Sequence, residues 1–145
     1  MRFYALLTPL SILFFYNSDT FFQIAMQNNK GRNVIVDLSF EFALKIIEYS
    51  CKLEADRRYI VARQLLRCGT SIGASVREAQ NAESKLDFIH KMKLAAKEAD
   101  ETEYWLLLCR CSENYKDCGD LLSDCVSIAR VLSKIIGTSK MKAIS

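Results

Sequence analysis

Residues 57–80, RRYIVARQLLRCGTSIGASVREAQ, decide the fold. Val61, Leu65, Cys68, Ile72, Val76 and Ala79 recur at spacings of three and four, the stripe of an amphipathic helix. At about 100° per residue, Arg63, Arg67 and Arg77 fall on the opposite side, with Thr70 and Ala74 between them. Gly69 and Gly73 sit inside the run, each costing about 1 kcal/mol relative to alanine. Something must compensate, most simply a neighbouring helix or chain that approaches where side chains are missing.

The flanking segments keep the same period. Upstream, Phe42, Ala43, Ile46, Tyr49, Ser50 and Leu53 predict a helix from Asp37 to Leu53, started by Asp37 or Ser39 as cap. Downstream, Phe88, Met92, Ala95, Ala99, Thr102 and Leu106 predict one from Lys85 to Ser112, with Ser84 and Asp87 spaced as a capping box. Its far side carries His90, Lys93, Lys97, Glu101, Tyr104 and Leu108. Leu121, Leu122, Cys125, Ile128, Ala129, Leu132, Ile135 and Ile136 predict the last helix, from Asp117 to Ile136, with Gly137 placed to end it.

Four long amphipathic helices on short links predict an all-α fold, an up-down-up-down four-helix bundle over residues 37–137. Residues 26–36 form a lead-in and 138–145 a flexible tail. With 5 glycines and 1 proline in 145 residues, turn signals are too few for a β-sandwich or barrel. A chain that is 50% hydrophobic and 26% charged is not disordered.

The first 25 residues read differently. Residues 3–16, FYALLTPLSILFFY, are nearly all apolar behind Arg2. The run is too short to span a bilayer, which takes roughly 20 residues, and Pro9 interrupts it. It has the charge and apolar run of a signal peptide without a small-x-small cleavage site. Three readings stand: a mis-called start with translation beginning at Met26, a signal or anchor, and a folded extension. The first fits best the polar QNNKGRN that follows Met26. It goes with a cytoplasmic protein not bound to a membrane.

Cysteines 51, 68, 109, 111, 118 and 125 are even in number, but most fall on apolar helical positions, where reduced cysteine packs as a small hydrophobe. No C-x-x-C occurs, and one histidine cannot complete a zinc set or a di-iron site. GTSIGAS lacks the Lys-Ser/Thr ending of a phosphate loop. The expectation is no enzyme, no metal and no cofactor.

Charge is segregated. Residues 57–97 hold nine basic and three acidic residues, and residues 98–124 hold eight acidic and two basic ones. The basic segment reads as a phosphate-binding surface, as a solvated face, or as a pole that meets the acidic pole of an adjacent subunit.

Residues 65–108, LLRCGTSIGASVREAQNAESKLDFIHKMKLAAKEADETEYWLLL, resemble the four-helix-bundle family of 23S rRNA intervening-sequence proteins. The most specific parts are Arg67–Gly73, Arg77-Glu78-Ala79 and Asp87-Phe88-Ile89, and the likeness extends over residues 30–140. Ser75 stands where the family commonly has Asn, and Cys68 where Ser is usual. The resemblance implies a homopentameric barrel and, through relatives that are accessory proteins of diversity-generating retroelements, binding of RNA or DNA and of a reverse transcriptase. It makes Arg63, Arg67, Arg77, Lys93 and Lys97 the candidate phosphate contacts. Ile60, Leu66, Gly69, Gly73, Tyr104 and Leu108 become the candidate oligomer interface. The expected function is a non-enzymatic nucleic-acid-binding accessory protein acting as an oligomer. The alternative is a scaffold that docks a protein partner without touching nucleic acid.

Overall fold

The structure, a computed structural model, describes residues 33–144; the apolar run 3–16 and the expected start at Met26 lie outside the described residues. Four helices make up the described chain: α1 (Val34–Ala55), α2 (Tyr59–Ala79), α3 (Lys85–Cys111) and α4 (Gly119–Ile144). There are no strands among the described residues, so the fold is all-α.

Each helix contacts its neighbours in chain order, and α1 also meets α4. Asn33 Nδ2 donates to Gln80 Oε1 at 2.7 Å, tying the start of α1 to the end of α2. Deeper along that seam, Gly73 lies against Ser39 and Gly69 against Ile46. Between α2 and α3, Glu78 pairs with Lys91 and Arg67 with Glu98 and Glu101. Between α3 and α4, the Cys118 thiol donates to Leu106 O at 3.3 Å and the Cys125 thiol to Ala99 O at 3.4 Å.

The interior is filled by the stripes the periods mark: Phe42, Ile46 and Leu53 from α1, Leu65, Ile72 and Val76 from α2, Met92 and Leu106 from α3, Cys125 and Leu132 from α4. Buried Thr102 and Ser39 satisfy their hydroxyls on carbonyls of their own helices. Several stripe positions differ from expectation, with Ala43 on α1 and Ala129, Ile135 and Ile136 on α4 only half-buried. In α2 Ala62 is buried and Val61 only half-buried, and in α3 Ile89 replaces Phe88 in the interior.

Helix ends depart further. Asn33 rather than Asp37 or Ser39 precedes the first turn of α1, because Ile35 belongs to the core and draws the helix start forward. α4 does not stop at Gly137 but runs to Ile144, so residues 138–144 are helical. Gly137 does not take the left-handed conformation that would end it, and the Thr138 hydroxyl donates to Lys134 O at 2.9 Å on the continuing helix.

The α1–α2 turn is a Schellman closure. Arg57 N–H donates to Glu54 O and Arg58 N–H to Leu53 O. The left-handed position, φ 60°, is occupied by Arg57 where glycine is usual, a strain of roughly 1–2 kcal/mol. At the start of α3, Ser84 Oγ accepts from Asp87 N–H, while Asp87, one methylene shorter than Glu, reaches Glu83 N–H. That is the capping box displaced by one residue. No helix among the described residues is long and apolar enough to cross a membrane.

Candidate nucleic-acid interface

All five cations singled out from the sequence lie on α2 and α3, two helices that pack against each other. All five are exposed, but they fall into two groups. Arg67 is engaged within its own chain. Its guanidinium pairs with Glu101, lies 3.6 Å from Glu98 and reaches Gln64. Trp105 Nε1 approaches the same Glu101 oxygen at 3.4 Å, so this cluster clamps α2 to α3. Arg67 is therefore a fastening between helices, and its charge is neutralised before any phosphate arrives.

Arg63, Arg77, Lys93 and Lys97 form no ion pair among the described residues. The two arginines lie 14 positions apart on α2, roughly 21 Å at 1.5 Å per residue. The Glu78–Lys91 pair, at 2.7 Å, ties α2 to α3 one residue beyond Arg77, while Arg77 itself lines the α1 side of α2. Lys91 itself is held charged, its pKa raised by that hydrogen bond to Glu78. His90 is exposed on the outer face of α3.

The expected interface residues divide as well. Ile60, at 78% exposure, Leu66, Tyr104 and Leu108 all lie open on the surface. Gly69 does not. It is buried, and a Cβ built there would stand 2.8 Å from the Ile46 side chain, so the missing side chain admits α1 of the same chain rather than a second copy. Gly73 approaches the Ser39 carbonyl, with 3.3 Å left for a Cβ, and is half-buried at the floor of a groove.

That groove was not foreseen. It runs between α1 and α2, with a volume of about 350 Å³, and is lined by Val36, Ser39, Phe40, Ala43, Thr70, Gly73, Ala74 and Arg77. Phe40, Leu44 and Ile47 form a second, exposed apolar row on α1 beside it. The signal was present as spacings of four and three, on the flank of the core stripe. Among the described residues no cluster of His, Cys, Asp or Glu is arranged to hold a metal ion.

A family model described as 23S rRNA-intervening sequence protein matches residues 32–134. No curated protein matches the chain. Among solved structures, the chain is similar to a protein with unknown function from the S23 ribosomal protein family of Bacteroides thetaiotaomicron, determined at 1.70 Å. The two are 40% identical, with a TM-score of 0.68 over 71% of this chain and 98% of that one. The matched span contains nearly all of the four helices and every candidate cation, and on it the chain belongs to the family of 23S rRNA-intervening sequence proteins.

Proposed function

We propose that this chain is a non-enzymatic nucleic-acid-binding accessory protein that works in the cytoplasm as a homo-oligomer. One observation carries the reading: Arg63 and Arg77 on α2 and Lys93 and Lys97 on α3 are exposed and form no ion pair among the described residues, while Arg67 and Lys91 on the same helices are compensated. Cations without carboxylate partners release counterions when phosphates replace their solvent, so binding follows the backbone charge of RNA or DNA and largely ignores its sequence. The inter-helix pairings fall in number on one helix as they rise on the next, which supports an up-down-up-down bundle. Assembly, as a pentamer by family likeness, would cover Ile60, Leu66, Tyr104 and Leu108.

Filter binding of labelled RNA and DNA at low salt tests the first half. Retention that is lost in the Arg63→Ala/Arg77→Ala/Lys93→Ala/Lys97→Ala variant supports it; no retention, or retention the variant keeps, refutes it. Light scattering after size exclusion tests the second half, and a monomer at micromolar concentration refutes it.

The α1–α2 groove favours a second reading, a scaffold that docks a protein such as a reverse transcriptase without direct nucleic-acid contact. A stoichiometric partner that survives nuclease treatment, from a protein that retains no nucleic acid, would select it.

A further inference from the structure

At the end of the bundle where α3 turns into α4, two cysteines converge on one tyrosine. Tyr49 is buried, and its hydroxyl donates to Lys116 O at 2.8 Å across the turn. Cys109, in the last turn of α3, and Cys118, immediately before α4, are buried and both lie close enough to that hydroxyl to bear on its proton. The Cys118 thiol also reaches Leu106 O at 3.3 Å, one helical turn from Cys109 on the same buried stripe. Two sulfurs are thus gathered around a single oxygen, at the two ends of a short connection. The other two buried cysteines, Cys68 and Cys125, feel each other's charge but share no tyrosine and no short connection: Cys68 bonds its own helix at Leu65 O and Cys125 bonds Ala99 O.

We propose that Cys109 and Cys118 are a redox pair, closing under oxidant into an intramolecular disulfide that staples the end of α3 to the start of α4. With hydrogen peroxide, one thiolate attacks an oxygen, the O–O bond breaks, and a sulfenic acid and hydroxide form. The second thiolate attacks that sulfur, the S–O bond breaks, and hydroxide leaves to take up a proton. The sum is two thiols and one peroxide giving one disulfide and two waters. Burial holds both thiols above their ordinary pKa, Cys109 at about 11, so the reaction is slow and follows opening of the turn. Once formed, the staple restrains that opening.

The test uses the full chain, treated with hydrogen peroxide, quenched with N-ethylmaleimide and mapped by mass spectrometry. Trypsin cuts after Arg110 and Lys116, separating Cys109, Cys111 and Cys118; chymotrypsin, cutting after Leu121 or Leu122, separates Cys118 from Cys125. The expected product is the Cys109 peptide joined to the Cys118 peptide with loss of two hydrogens, reversed by dithiothreitol. Since Cys51 and Cys111 are exposed, Cys51→Ser/Cys111→Ser removes the competing thiols without disturbing the core and must give the same link. Alkylation of both Cys109 and Cys118 after oxidation, or a link that uses any other cysteine in their place, overturns the proposal.

Discussion

The inner and outer faces of α2 obey different rules. Inward, Leu65, Ile72 and Val76 are fully buried and Gly69 leaves no room for a methyl group. Outward, Arg63 and Arg77 form no ion pair among the described residues, and Ile60 stands in solvent. The inner face is accounted for by stability alone. The outer cations contribute little to the fold, so their account must come from something outside the chain. Substitutions should separate the two faces, inward ones changing the melting temperature and outward ones changing binding.

The largest effect belongs to the core. Ile72→Ala should lose about 2–5 kcal/mol in denaturant unfolding, by transfer and cavity terms together, while the folded protein keeps its nucleic-acid affinity. Next come two glycines that make an internal control. Gly69→Ala drives a Cβ into buried Ile46 and should lose about 1–3 kcal/mol from overpacking, less the helix-propensity gain. Gly137→Ala, with nothing within 4 Å of its new methyl, should gain up to about 1 kcal/mol. If both glycines respond alike, the close approach of α1 to α2 is wrong.

Smaller still is Arg67→Ala. Its pairs with Glu98 and Glu101 are half-exposed, so solvent screening holds the loss to about 1 kcal/mol or less. Affinity should barely change, since that charge is already spent. A loss of affinity as large as that of Arg63→Ala would erase the distinction between paired and free cations.

A weaker, inward signature is set by pH. Burial pushes the Cys125 thiol up to about 12 and Cys109 to about 11, from an ordinary 9.0. Between those values the folded chain holds protons that the unfolded chain releases. Stability is therefore complete below pH 9.0 and declines as pH rises toward 11 and 12. Cys125→Ala should lower stability at neutral pH yet flatten that alkaline decline, measured as melting temperature against pH.

Local periodicity carried most of the fold. The stripes of α2 and α4 name the buried residues almost one for one, because a helix that must bury one face repeats its apolar residues whatever lies opposite. The ends were less legible. Gly137 has the chemistry of a stop, but it stops a helix only by turning left-handed itself, and here it stays helical as α4 continues. Arg57 in the left-handed position of the α1–α2 turn has no sequence signal, since glycine is the residue that announces it. The candidate site was half-legible. Helical angle alone placed Arg63, Arg67 and Arg77 together, but Arg67 meets carboxylates more than 30 residues away on α3, a pairing that no single-helix pattern contains. Gly69 and Gly73 rightly announced a close approach, and the approaching body is α1 of the same chain.

Salt titration of binding tests the central claim most directly. Plotted as log affinity against log salt concentration, the chain should fall linearly, with a slope of roughly −0.9 for each phosphate neutralised on duplex and −0.7 on single strands. Removing Arg63 and Arg77 together should make that slope shallower by about two such increments, and removing Arg67 should leave it unchanged. A slope indifferent to Arg63 and Arg77, or no binding at the lowest salt, would contradict the account.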